Sequence, residues 1–199
     1  MPWPRRTFTT RDSQTRFIFR KDGSTVMEDF LTLAAQRYSV RSFDSRPIED
    51  EILQRILRAG HLAPTACNRQ PQRVLVLNDA QDMQKLRRCT ECHFGAPAAL
   101  LVCCSRDESW IRGYDGKSSG DIDASIVATH MMLEAASLGI GSTWVMYFDP
   151  KAMREEFSIP TAIEPVALLV MGYPAAGAKP YPGHTQFRPQ EETVVYHRF

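Results

Sequence analysis

Two short segments of this 199-residue chain carry side chains whose types and spacing could do chemistry. In Arg37-Tyr38-Ser39-Val40-Arg41, two guanidinium groups and a hydroxyl recur at every second position. In an extended backbone, positions i, i+2 and i+4 face the same way, so the three donors would converge on one side. Such a set suits a phosphate or another anion, because charge-assisted bonds from a guanidinium are short and can be bidentate. On spacing alone, a solvated basic turn is the alternative. The second segment, Cys89-Thr90-Glu91-Cys92-His93, has the spacing used to attach c-type haem. Haem attachment also needs export and a second axial ligand, and neither is visible. Zinc would need a fourth ligand, which Cys103 or Cys104 is poorly placed to give from an apolar strand. A redox-sensitive or chance pair of thiols is the remaining reading.

Other constellations fail on spacing or context. Gly116-Lys117-Ser118 would need a glycine at 111 to close a P-loop, and Ile111 stands there. Gly139-Ile140-Gly141 follows a helix and precedes a strand, the reverse of a dinucleotide fingerprint. There is no Gly-x-Ser-x-Gly elbow and no His-x-x-x-His pair. His130 and Glu134 lie one helical turn apart and read as a satisfied interface pair.

The elements that must position these residues follow from periodicity and punctuation. The expected helices are Glu28–Arg37, with Leu31, Ala34 and Ala35 on one face; a helix opened by Pro47 and stopped near Gly60; Asp79–Arg88; Asp121–Leu138; and Lys151–Phe157 behind an Asp149-Pro150 start. The expected strands are Arg73–Asn78, Ala98–Cys104, Ser142–Tyr147 and Pro165–Gly172, with a further short one at Thr193–Tyr196. The helix from Asp121 is apolar on two faces, which implies burial on two sides, inside a core or at a subunit interface. No linker divides the chain, so residues 28–199 read as one domain with strands covered on both faces.

Composition is that of a globular protein, with 43% hydrophobic and 24% charged residues. The formal net charge of +1 gives no reason to expect nucleic acid or a membrane surface as partner. That total hides a basic arm: residues 1–27 carry six basic and two acidic side chains, leaving the remainder at −3. The arm lacks the apolar core of a secretory signal and is expected to be disordered. Five cysteines without framework spacing suggest reduced thiols in a cytoplasmic protein.

Five segments, in order, resemble the nitroreductase family of FMN-dependent enzymes. Arg37–Phe43 is similar to the family's Arg-x-Ser-x-Arg opening. Ala63-Pro64-Thr65-Ala66-Cys67-Asn68-Arg69-Gln70-Pro71 resembles its Ala-Pro-Ser-x-x-Asn-x-Gln-Pro loop. Asp123 through Trp144 resembles its long dimer helix and Leu-Gly-Leu-Gly-x-x-Trp continuation. Leu169–Pro174 and Arg188–Glu192 resemble its closing strand and tail.

The resemblance implies an α+β fold of three layers, α-β-α, with a central mixed sheet covered by helices. It also implies a homodimer holding FMN at the subunit interface. On that reading Arg37, Ser39 and Arg188 hold the FMN phosphate, with Tyr38 alongside, and Arg41 reaches the ribityl chain or pyrimidine edge. Pro64, Thr65, Asn68 and Gln70 approach the flavin from the other subunit. The backbone of Thr143, Trp144, Val145, Met146 and Tyr147 lies near flavin N5. The implied activity is an FMN oxidoreductase passing hydride from NADH or NADPH, through N5, to a nitroaromatic, quinone or similar acceptor by a ping-pong cycle. No metal and no catalytic acid, base or nucleophile is then required, because the chemistry belongs to the cofactor.

Two positions depart from the family pattern. Gln72 follows Gln-Pro where a Trp is frequent, and Met146 stands where many members have Gly. By position, Thr90–His93 would lie near the flavin's pyrimidine edge, which puts Cys92 close to a redox centre. The alternative function is therefore a non-turnover flavin-binding or redox-sensing module using Cys89 and Cys92.

Overall fold

The computed structural model describes Ile18–Phe19, Thr25–Val26 and residues 29–199. The expectation of a disordered basic arm falls otherwise outside the described residues. The two short strands, β1 (Ile18–Phe19) and β2 (Thr25–Val26), pair antiparallel.

A short helix α1 (Phe30–Gln36) leads into the Arg37–Arg41 segment. Next come α2 (Asp50–His61), β3 (Gln72–Leu77), α3 (Ala80–Cys89) and β4 (Ala98–Ser105). The long helix α4 (Gly120–Ser137) is followed by β5 (Gly141–Val145), α5 (Pro150–Phe157) and β6 (Ile163–Gly172). The chain closes with a single helical turn, α6 (Gln190–Thr193).

The four longer strands form one sheet in the order β3-β4-β6-β5. Its sides alternate away from the bulge in β6. Leu100, Val102, Leu169 and Met171 pack towards α2 and α4, whereas Ala99, Leu101, Leu168 and Val170 pack towards α3 and α5. Every residue of β4 is buried, as a strand covered on both faces requires. The fold is therefore α+β in three layers. The expected mixed sheet is antiparallel in all three ladders, and its parallel pairing is confined to an isolated bridge between Ser39 and Ser142. The cause is the last strand. The crossover through α4 leaves β4 and β5 running the same way, but β6 inserts between them and pairs antiparallel with both. A bulge lets β6 carry Pro165, since the register shifts between Val102 and Cys103, where a missing ladder donor does least harm.

Several expectations need adjustment. Leu31 is 72% exposed and Ala35 is exposed too, so the apolar face expected on α1 does not enter the core. Gly60 does not stop α2. It sits where α2 presses on α4, and an added Cβ would lie 2.7 Å from Met131 Cγ. Gly139, at φ +77°, does end α4 as a left-handed cap. The tail residues Val194 and Tyr196 form no strand, because no edge of the sheet reaches them within the described chain; a helical turn behind Pro189 stands there instead. Nor do His130 and Glu134 pair. His130 Nδ1 meets the Ile126 carbonyl at 2.9 Å, and Glu134 pairs with Arg55 at 2.7 Å.

Candidate functional site at the open edge of the sheet

β5 is an edge strand, and the Arg37–Arg41 segment docks on the start of its outer side. Val40 N–H donates to the Ser142 carbonyl at 3.0 Å, and the Thr143 hydroxyl donates to the Val40 carbonyl. Val40 is buried and packs so closely on the strand that a Cβ at Gly141 would lie 2.6 Å from its Cγ2. The segment's arginines lie apart: Arg37 lines a hollow with Tyr38, Val40 and the end of α4, while Arg41 lies over Phe94 on the α3 side.

The two arginines of this segment are uncommitted. Among the described residues neither Arg37 nor Arg41 forms an ion pair. Arg41 only touches the Ser39 carbonyl at 3.4 Å and lies 5.9 Å above the Phe94 ring. Arg188 differs: it is largely exposed and meets Glu192 at 3.4 Å. Among the described residues no contact brings it to Arg37. The C-terminal segment nevertheless reaches this corner. Tyr38 Oη donates to the Ala178 carbonyl at 3.3 Å, and His184 Nε2 lies 3.2 Å from the Ala35 carbonyl.

Beyond Val145 the strand stops two residues short of its expected end. Thr143 and Val145 are buried, whereas Met146 and Tyr147 are 63% and 75% exposed. Bonds to the end of α3 hold this loop: the Thr90 hydroxyl donates to the Tyr147 carbonyl, and Asp149 N–H donates to the Cys89 carbonyl at 2.8 Å. Asp149 also caps α5 through Lys151 N–H at 2.8 Å.

The loop carrying Pro64, Thr65, Asn68 and Gln70 is exposed and tightly folded, on the α2–α4 side of the sheet. Cys67, Asn68 and Gln70 all have φ near +50°, a region that non-glycine residues seldom adopt. Thr65 Oγ1 accepts Gln70 N–H at 3.0 Å inside it. A buried carboxylate on α4 anchors it: Asp123 Oδ1 accepts Ala66 N–H at 2.9 Å, and Oδ2 accepts the Ser119 hydroxyl at 2.7 Å. The loop ends at Gln72, whose Oε1 is buried without a hydrogen-bond partner and so calls for a donor from outside.

Thr90 was expected only as part of the segment near the flavin's pyrimidine edge, and the anchoring role of Asp123 was not expected. The only sequence signal was an acidic residue in the first turn of a long helix, which ordinary dipole complementation also explains.

The cysteine segment is quiet. Burial pushes the Cys89 thiol up to about 11, and its Sγ faces the Lys85 carbonyl at 3.5 Å. His93 Nδ1 accepts Gly95 N–H at 3.0 Å, and burial lowers its pKa. Among the described residues no three metal-ligating side chains come together. No described helix is long and apolar enough to cross a membrane.

Known proteins share this fold. A nitroreductase family structure from Clostridium difficile superposes with a TM-score of 0.82 at 42% identity, over 86% of this chain and all of that one. A structure described as a nitroreductase in complex with FMN, from Desulfovibrio desulfuricans, matches at a TM-score of 0.70 and 25% identity, over 87% of this chain and 99% of that one. A relative from Archaeoglobus fulgidus, provisionally named NADH dehydrogenase/NAD(P)H nitroreductase, is 31% identical over 178 residues, 82% of this chain and 95% of that protein. The profile of the nitroreductase family matches residues 34–94 and 89–173, and this chain belongs to that family.

Proposed function

We propose that this protein is an FMN-dependent NAD(P)H oxidoreductase, acting as a homodimer with FMN between the subunits. The observation that carries the reading is the pair of uncommitted guanidinium groups, Arg37 and Arg41, fixed beside the open edge of β5. Charges at the end of α1 and beside β5, with no carboxylate partner among the described residues, suit the phosphate and the electron-rich edge of FMN. When bound, FMN supplies the redox chemistry, accepting hydride from NAD(P)H and passing electrons to a small acceptor such as a nitroaromatic or quinone.

The chain's own residues bind and orient. Arg37, Tyr38 and Ser39 line the phosphate end, with Arg188 joining from the tail. Arg41 faces the ribityl chain or pyrimidine edge. Backbone from Thr143 to Met146 borders the flavin ring. Pro64, Thr65, Asn68 and Gln70 reach the partner's site on the loop that Asp123 anchors. The exposed apolar residues of α1 and α4, among them Phe30, Leu31 and Ile122, support the dimer, since faces of this kind mark interaction surfaces.

The test is FMN titration of the wild type against R37A and R188A. A charge-assisted phosphate contact contributes about 1.5–3 kcal/mol, so each variant should weaken binding about tenfold or more. Unchanged affinity in both variants would remove these arginines from the site.

A further inference from the structure

Thr90 sits at the end of α3, at the start of the segment expected near the flavin's pyrimidine edge, and its hydroxyl joins two parts of the molecule. It is 6% exposed. Its Oγ1 donates to the Tyr147 carbonyl and accepts Cys92 N–H at 3.0 Å. A hydroxyl can do both at once, and the β-branched side chain holds its χ1 stiffly.

Two peptide planes turn on this contact. The Tyr147 carbonyl and Phe148 N–H belong to one plane and point opposite ways. The carbonyl is held by Thr90, while Phe148 N–H donates to the Met146 carbonyl at 3.1 Å and closes a three-residue turn. The Met146 carbonyl shares the next plane with Tyr147 N–H, which is therefore directed out of the turn. Among the described residues that N–H meets no acceptor. The Met146 and Tyr147 side chains are both mostly exposed, and Phe148 behind them packs on the core.

We propose that Thr90 is a positioning residue: by clamping the Tyr147 carbonyl, it sets the direction in which the Tyr147 N–H is offered to the flavin. This rests on the FMN reading above.

The test compares wild type, T90V and T90S by amide hydrogen exchange without cofactor and by FMN titration and flavin absorbance with it. T90V keeps the shape and removes the hydroxyl. It should speed exchange across Met146–Phe148 and weaken FMN binding, each by roughly five- to tenfold, the effect of one buried hydrogen bond. Exchange in β4 should be unchanged, and T90S should restore both readouts. T90V indistinguishable from a wild type that binds FMN would overturn the clamp and leave the FMN reading standing. T90S behaving like T90V, or β4 losing protection as well, would make Thr90 a packing residue and overturn it too. A wild type that binds no FMN would overturn both.

Discussion

The spacing of Arg37, Ser39 and Arg41 singles out a segment that Val40 docks on β5, but Arg37 lines a hollow beside α4 while Arg41 lies over Phe94, a divergence that period-two alternation does not encode. Thr90 was expected in the flavin's neighbourhood, but its contact with Tyr147, far along the chain, is encoded by no spacing. The cysteines divide by environment rather than by spacing. Cys67 is exposed, while burial raises the thiols of Cys103 and Cys104 to about 12 and about 11. A reagent that attacks thiolates at about pH 8 should therefore label Cys67 quickly and leave Cys89, Cys103 and Cys104 until the protein unfolds. Rapid labelling of Cys89 in folded protein would revive a redox role for the Cys89–Cys92 pair. Because the folded state holds these thiols protonated, their contribution to stability is complete below their ordinary range. It should be lost as pH climbs through about 11, measurable as a falling thermal midpoint.

Elements were read better than their ends. The helices from Asp50, Ala80, Gly120 and Pro150 and the strands of the sheet stand close to where periodicity and capping put them. The errors share a cause, which is that tertiary context decides them. Gly60 reads as a stop, but its real role is to let α2 approach Met131. The early end of β5 reflects the pull of α3 on Tyr147. The loop at 64–70 has its own dependence, since three residues at positive φ need an outside anchor to persist. Asp123 is that anchor, so D123A should release Ala66 and the Ser119 hydroxyl. A destabilisation of about 1–3 kcal/mol by denaturant unfolding is expected, together with weaker FMN binding. Full stability and affinity in D123A would show that the loop holds itself.

For the whole molecule, two clusters of buried residues lie on opposite sides of the sheet, and the sequence pattern could not say where α4 turns its second apolar face. Ala124, Val127 and Met131 pack inward, while Ile122 is 51% exposed beside a shallow groove of about 410 Å³ along Ser125, Ile126, Thr129 and His130. A charge on this face should break a dimer without disturbing the fold. I122K is expected to sediment at the mass of one chain, against two for the wild type, and to lose FMN as it does so. A dimeric I122K with full cofactor would place the interface elsewhere.

The most direct measurement is the absorbance spectrum of purified protein reconstituted with FMN, followed through an anaerobic titration with NADH or NADPH. The expected result is a bound, protein-perturbed flavin band that bleaches at one equivalent of NAD(P)H per FMN and recovers when a quinone or nitroaromatic is added. A protein that fails to retain FMN, or whose bound flavin stays oxidised under excess NADH and NADPH, would contradict the assignment.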